Sequence, residues 1–218
     1  MINPDISRLE RWVIDAERSG QYDISSDFDP GVSVEYLDDI DRRISADAGM
    51  GGFQMLDALR IFYRRTNGFS LWWRSRVDPD GPRAAAGVAA ITDIERLYEP
   101  PVCTAISYSS LYDGPRIFDA AGPGARVDAH FSRGKAEPAL YYYSERFGAP
   151  RLLSLSIIEY LDRLVICRAM VGWQKFFVAG RASAWDQAWA TRFLKRLTRL
   201  CPDEDVAVFE SAVGMHGR

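Results

Sequence analysis

The amino-acid sequence predicts an α+β fold: a single domain over residues 1–218, in which helices at both ends of the chain pack on a central, mostly antiparallel sheet. Apolar residues recur at helical spacing near both ends, whereas segments that alternate with period two are grouped in the middle. Short Gly/Pro turns separate these segments, which favours antiparallel pairing. No shift in composition marks a linker, so one domain is the simplest interpretation.

The first predicted helix opens the chain. Asn3 suits the N-cap position and Pro4 the first turn, and apolar residues then recur at helical spacing toward Gly20. The segment that follows, residues 21–31, is polar and contains Pro30, which predicts a loop.

Two more helices are predicted before the sheet. Ser33 is a suitable cap for the second, which runs to Ile44 and has a strongly acidic exposed side. The third begins at Phe53, after a glycine-rich break, and ends near Asn67-Gly68, where a left-handed glycine would stop it.

The first predicted strand, residues 69–74, follows at once. Trp72 and Trp73 are adjacent on it and must face opposite sides, so one enters the core while the other meets a second layer or a partner. After a Pro/Gly turn at residues 78–83, a second strand spans residues 87–91. Thr92 with Glu95 then forms a capping-box pattern for a short helix.

Three further strands are predicted at residues 116–119, 126–131 and 139–143. In the second of these, Arg126, Asp128 and His130 alternate with apolar residues, which indicates that one face of the sheet meets water. Tyr141 and its two tyrosine neighbours divide between the faces in the same way.

The C-terminal part returns to helices. Ser156 and Glu159 form a capping-box pattern that opens one helix, which Gly172 would end. A last helix begins near Ser183 and stops before Pro202. Basic residues on this last helix are typical of a solvated face, although a basic stripe also suits phosphates: Arg192, Lys195, Arg196 and Arg199.

Composition and charge narrow the function classes. The chain is 47% apolar, enough for a sizeable core, and its net charge of −3 gives no positive field for nucleic acid or an anionic membrane. It shows neither a signal-peptide pattern nor an apolar run long enough to span a bilayer. The three cysteines, Cys103, Cys167 and Cys201, are widely spaced, as in reduced proteins. We therefore expect a cytoplasmic protein that binds neither nucleic acid nor membrane.

Charge is unevenly distributed along the chain. Residues 1–50 hold 12 acids against 5 arginines, whereas residues 151–200 hold 9 bases against 3 acids. Either the two ends attract each other, or the acidic end steers an oppositely charged partner.

Residues for catalysis or metal binding are scarce. The chain has two histidines and no closely spaced cysteine pair, and its glycine clusters lack the spacing of a phosphate-binding loop. We therefore expect no catalytic residue, no cofactor and no metal. A hydrolase that uses paired carboxylates, such as Glu95 with Glu99 or Asp78 with Asp80, is an alternative.

Two stretches of the sequence carry a family resemblance. Residues 59–73 read Leu-Arg-Ile-Phe-Tyr-Arg-Arg-Thr-Asn-Gly-Phe-Ser-Leu-Trp-Trp, and residues 172–177 read Gly-Trp-Gln-Lys-Phe-Phe after a helix at residues 155–161. They resemble the helix, Asn-Gly-Phe turn, Trp-bearing strand and Trp-Gln tail of the SUKH superfamily, which includes the fungal regulators Smi and Knr. The likeness spans about residues 30–180, so the first and last helices are additions. The motif positions are Asn67, Gly68, Phe69, Trp73, Tyr160, Leu161, Gly172 and Trp173.

The resemblance implies an α+β scaffold without enzymatic activity. In bacteria it implies an immunity protein that neutralises a cognate toxin by binding it. An adaptor of the same fold that acts on the cell's own proteins is the alternative. The toxin-binding surface varies within the family, so no binding residue carries over by motif. Aromatic and acidic residues are the candidates for protein contact: Trp72, Asp78, Asp80, Glu99, Tyr108, Tyr112, Asp113 and Tyr141.

Overall fold

A computed structural model describes residues 5–46, 55–77, 85–98, 102–103, 106–107, 114–122, 124–132, 135, 137–145, 148–180 and 184–216. The helices are α1 (Ile6–Ser19), α2 (Val34–Ala46), α3 (Asp57–Arg65), α4 (Ile94–Tyr98), α5 (Ile157–Ile166), a 3₁₀ helix (Trp173–Phe177), α6 (Ala184–Leu200) and α7 (Ala207–His216). The strands are β1 (Tyr22–Pro30), β2 (Thr66–Ser75), β3 (Ala86–Ile91), β4 (Val102–Cys103), β5 (Ile106–Ser107), β6 (Arg116–Gly122), β7 (Ala125–His130), β8 (Ala139–Ser144) and β9 (Arg151–Leu152). Each helix in these segments is too short or too polar to cross a lipid bilayer.

Seven strands form one antiparallel sheet in the order β1-β2-β3-β6-β7-β8-β9, and β4 pairs separately with β5. The α+β prediction is therefore confirmed, with helices at both ends of the chain. The prediction of a loop at residues 21–31 is wrong, because β1 pairs with β2 from Tyr22 opposite Ser75 to Pro30 opposite Thr66. β1 is an edge strand, and the water on one of its edges and one of its faces explains its polar sequence.

Helices pack on one face of this sheet, which we call the covered face. Trp73 of β2 lies on it, and its ring packs edge-on against Trp12 of α1 at a centroid distance of 5.5 Å. On β6, Phe118 packs edge-on against Tyr160 of α5 at 5.5 Å. The apolar stripes of the predicted helices therefore form the core together with this face.

The first two helices begin and end close to their predicted positions. Asp5 caps α1, because its carboxylate accepts the Ser7 N–H at 3.2 Å, and Gly20 ends it in a left-handed conformation. The predicted cap at Asn3-Pro4 lies outside the described residues. Ser33 caps α2 as predicted, since its Oγ accepts the Tyr36 N–H at 3.2 Å.

Gly68 does not end α3, which corrects the prediction of a helix stop. The chain is already extended at Thr66, and Gly68 lies inside β2 with φ +102°. A Cβ atom at Gly68 would lie 2.6 Å from the Ile91 carbonyl oxygen. Glycine is needed there because two strands approach closely.

The cap of α4 also differs from the prediction. Asp93, rather than Thr92, accepts the Arg96 N–H at 2.8 Å. The Asn67 side chain accepts the Ile94 N–H at 3.1 Å. Asn67 therefore joins β2 to the first turn of α4.

α5 begins with the predicted capping box, in which Ser156 and Glu159 exchange hydrogen bonds. It ends earlier than predicted, because Arg168 and Ala169 take positive φ values of 53° and 55°. This turn lets the Ala169 carbonyl accept the Val88 N–H of β3 at 2.9 Å. Gly172 begins the 3₁₀ helix instead of ending α5.

A buried polar network joins β3 to β6, which pair in register only at Ile91 and Asp119. Asp119 accepts the Ala90 N–H at 2.8 Å and the Tyr160 hydroxyl at 2.6 Å. The Gln174 amide in turn donates to the Tyr160 oxygen at 3.1 Å. Burial raises the pKa of Asp119 to about 6, and the two hydrogen bonds that it accepts lower it in part.

The last helix, α7, is absent from the sequence prediction. Asp205 accepts the Ala207 N–H at 3.0 Å where it begins. Phe209 is fully buried and packs edge-on against Phe177 at 5.5 Å. A short apolar segment after an acidic turn gives too little periodicity to predict a helix, and packing on the 3₁₀ helix supplies its stability.

Many acids of the first third form ion pairs. Arg60 of α3 pairs with Asp38 and Asp41 of α2, and Arg65 pairs with Glu10 of α1. These contacts are local to the N-terminal half of the chain. Arginines of the same chain therefore pair with many of these acidic residues, which explains their presence without a binding partner.

Two of the cysteines behave as buried small residues. Cys167 and Cys201 are free thiols, and burial raises the pKa of both, that of Cys201 to about 11. The side chain of Cys103 lies outside the described residues.

Candidate functional site

The second face of the sheet, which we call the open face, carries side chains of strands from β1 to β9 that are exposed or half-buried, except for Asp128, which is buried. Strand alternation and pairing register assign its members. They include Ser25, Trp72, Val88, Ile117, Arg126, Asp128, His130, Tyr141, Tyr143 and Leu152. Three large apolar side chains among them are well exposed: Trp72 at 44%, Ile117 at 52% and Leu152 at 43%.

A row of four residues crosses the open face from β6 to β9. Ile117 pairs with Asp128, Asp128 with Tyr141, and Tyr141 with Leu152. Side chains opposite each other on antiparallel strands lie in contact range. The row therefore presents exposed apolar groups at both ends, with a half-buried tyrosine and the buried Asp128 between them.

The carboxylate in this row is held by a neighbouring arginine. Arg126 Nε lies 3.0 Å from Asp128 Oδ1 and 3.1 Å from Oδ2. Burial raises the pKa of Asp128, while Arg126 opposes that shift. The Arg126 guanidinium also lies over the Tyr143 ring, 5.1 Å from its centroid.

His130 completes this polar group. Its ring lies 4.5 Å from that of Tyr141, centroid to centroid. Burial lowers the pKa of His130, with the Asp128 charge acting in the opposite direction. The polar groups on this face are therefore fixed by one another before any partner arrives.

Trp72 belongs to a second row on the same face. It pairs with Ser25 of β1 on one side and with Val88 of β3 on the other. A Cβ atom at Gly122 would lie 3.7 Å from the Val88 Cβ, so the end of β6 lies against β3 here. The two rows belong to one continuous surface.

The structure places two of the predicted contact residues on the same face of the sheet. Trp72 and Tyr141 both lie on the open face, four strands apart in the sheet order. Trp73 faces the opposite side from Trp72 and is buried, as the alternation predicts. The other six candidates lie outside the described residues: Asp78, Asp80, Glu99, Tyr108, Tyr112 and Asp113. The proposed carboxylate pairs therefore have no described geometry.

The resembling motifs occupy scaffold positions. Phe69 stacks on Phe28 at 5.1 Å, and the Trp73 indole N–H donates to the Arg168 carbonyl at 2.6 Å. Tyr160, Leu161 and Trp173 are buried. These residues hold the sheet and helices together, and none of them lies on the open face.

Sequence reasoning missed Ile117 and Leu152. A strand was predicted at residues 116–119, but residue polarity would place Ile117 in the core and Arg116 in water. In the structure Arg116 is buried and Ile117 is exposed. β9 has only two residues, too few for a periodic signal. The pairing register alone identifies these positions.

A groove of about 590 Å³ lies where α5 begins, open to solvent. Ser132, Lys135, Glu137 and Ser156 are among its lining residues. Glu137 accepts the Ile157 N–H at 3.0 Å, so its carboxylate already serves the first turn of α5. Within the described part of the chain, no three His, Cys, Asp or Glu side chains come together as a metal site requires.

The chain matches no family model, no curated protein and no solved structure.

Proposed function

We propose that this protein is a non-catalytic binding protein, acting in the cytoplasm, that neutralises a cognate toxin domain by covering it with the open face of its sheet. The observation that carries the proposal is the exposure of Trp72, Ile117 and Leu152 on one continuous face. Large apolar groups that share a surface are typical of protein-binding sites.

The energetics of the open face support a protein partner. Removing apolar surface from water contributes about 25 cal/mol per Å², and tryptophan and tyrosine dominate binding energies at many interfaces. Because the sheet fixes these side chains in advance, binding orders little that is flexible. Arg126, which the buried Asp128 carboxylate holds in place, and the half-buried His130 supply polar groups that orient a partner.

The resemblance of residues 59–73 to the SUKH superfamily supports a toxin as the partner. In this stretch, adjacent tryptophans divide between the core and the open face. A scaffold motif that carries a surface tryptophan beside a buried one suits a family with a common fold and varying targets.

The test is a titration of the purified protein with the product of a neighbouring toxin reading frame. Trp72→Ala and Ile117→Ser are expected to weaken binding at least about tenfold each, as central interface residues do. Ile14→Ala is the matched control, because Ile14 is 45% exposed on α1 and lies off the sheet. No binding by the unaltered protein, or equal loss in the control, would refute the proposal.

A further inference from the structure

The outer edge of β1 carries backbone groups without a strand partner. Arg76 N–H donates to the Gln21 carbonyl at 2.8 Å, which places the backbone groups of Gln21 on the β2 side. Backbone groups alternate in direction along a strand, so those of Tyr22, Ile24 and Ser26 point away from β2. Within the described part of the chain, no residue hydrogen-bonds to them.

This edge is long and firmly held. β1 has nine residues and pairs with β2 in regular register from Tyr22 to Phe28, so an added strand can pair along that stretch. Tyr22 packs edge-on against Trp73 at 5.7 Å, and Phe28 stacks on Phe69 at 5.1 Å. An unpaired, preformed edge is a template for a strand from another chain.

The side chains of β1 specify what that strand must contain. On the open-face side, β1 presents Asp23, Ser25 and Asp27, and Asp27 has no ion pair with a described residue. On the covered-face side it presents Tyr22, Ile24 and Phe28 at the margin of the core. Neighbouring side chains on paired strands lie about 5 Å apart, so the added strand needs basic residues beside the acids and apolar residues beside the core margin.

We propose that the edge of β1 binds an extended segment of a partner protein in which basic and apolar residues alternate. The segment adds an eighth strand to the sheet and lies beside the row that contains Trp72. The proposal rests on the proposed function only in taking the partner to be a protein. A second copy of this chain is the poorer occupant, because its β1 would bring aspartates against aspartates.

The probe is a labelled peptide of alternating lysine and valine, matched to the nine residues of β1 and blocked at both ends. Its control has the same composition with all lysines grouped at one end. Fluorescence anisotropy is expected to show binding of the alternating peptide at least about tenfold tighter than that of the control. Equal binding of the two peptides would mean attraction by charge alone and would overturn the proposal.

Two substitutions at one position test the backbone contact. Ser26→Pro removes an outward N–H without breaking a β1–β2 hydrogen bond, whereas Ser26→Ala keeps it. The proline variant is expected to weaken peptide binding about tenfold and the alanine variant less than about twofold. Equal affinities would overturn the proposal. If the proline variant fails to fold, Asp27→Lys is compared with Ser26→Ala instead. Reversal of the Asp27 charge is expected to weaken binding of the lysine-containing peptide.

Amide hydrogen exchange separates strand addition from loose association. The alternating peptide is expected to slow exchange at Tyr22, Ile24 and Ser26, because their N–H groups become hydrogen-bonded. Unchanged exchange at all three amides would overturn the proposal. Peptide binding is expected to survive Ile117→Ser within about threefold, because β6 lies three strands away from β1 in the sheet. Loss of binding at the β1 edge and loss of binding at the open face are therefore detected with different variants.

Discussion

Arg116 and Ile117 are neighbours on β6 with their expected environments exchanged: the arginine side chain is 2% exposed and the isoleucine side chain 52%. Arg116 Nη1 donates to the Gly114 carbonyl at 3.2 Å on the covered side of the strand. Ile117 instead joins the row with Asp128, Tyr141 and Leu152. A buried arginine and an exposed isoleucine are the reverse of what residue polarity alone favours.

Exchange of Ile117 for threonine is expected to leave the free energy of unfolding within about 0.5 kcal/mol of the unaltered value. Threonine keeps the β-branched shape that suits a strand, and the lost methyl group faces water. Arg116→Ala is expected to lower that free energy by about 2 kcal/mol, because it removes a buried stem and its hydrogen bond. Urea unfolding of both variants checks this. A larger loss for Ile117→Thr would mean that Ile117 serves the core.

The sequence predicts the main helices and the central strands because their apolar residues follow clear periods. α2, with its cap at Ser33, and α5, with its capping box, begin where the pattern places them. β1 and α7 are missed for a physical reason. Each is stabilised by what it packs on, β2 for the first and the 3₁₀ helix for the second, and local periodicity does not record such contacts.

The candidate site is predictable only in part, for a similar reason. Adjacent Trp72 and Trp73 must face opposite sides, so the sequence alone implies that one of them leaves the core or meets a second layer. It does not tell which face stays open. That depends on helices distant in sequence, such as α1, whose Trp12 covers Trp73.

Exchange of Gly87 for alanine is expected to lower the free energy of unfolding by about 2–4 kcal/mol. A Cβ atom there would lie 1.9 Å from Trp73 Nε1 and 2.8 Å from the Arg168 carbonyl oxygen, and so would break the hydrogen bond between them. The control is Ala86→Ser, one residue earlier and on the open-face side. It is expected to change the free energy of unfolding by less than about 0.5 kcal/mol. Urea unfolding followed by tryptophan fluorescence measures both. Similar losses would show that the Trp73 contact is not the cause.

Exchange of Glu204 for glutamine is expected to lower the free energy of unfolding by about 2 kcal/mol, and added salt should change this loss little. The buried Glu204 carboxylate pairs with Arg8 of α1 and with Arg168 after α5, whose side chain is 11% exposed. The glutamine variant removes the counter-charge of both cations, of which Arg168 is protected from water. Asp39→Asn removes two exposed ion pairs on α2, with Arg42 and Arg43, and is expected to cost less than about 0.5 kcal/mol. Equal losses in the two variants would contradict the expectation.

Asp119 is expected to make stability fall as pH rises through about 6. Its pKa is raised from 3.8 to about 6 in the folded chain, so the folded state binds the proton more tightly than the unfolded state. That contribution is fully present below pH 3.8 and is lost as pH rises through the folded pKa. Asp119→Asn keeps an acceptor for the Ala90 N–H but cannot ionise. Between pH 4 and 8 the free energy of unfolding of the unaltered protein should therefore fall by up to about 3 kcal/mol relative to that of this variant.

Urea unfolding of the unaltered protein and the Asp119→Asn variant across that range measures the difference between their two stability curves. Parallel curves would show that Asp119 does not titrate in this range. Tyr160→Phe adds a directional check, because the Tyr160 hydroxyl donates to Asp119 at 2.6 Å and thereby lowers the pKa of that carboxyl. Its loss is expected to move the midpoint of the stability change above pH 6. A midpoint shifted downward would mean that the hydroxyl does not stabilise the ionised carboxylate.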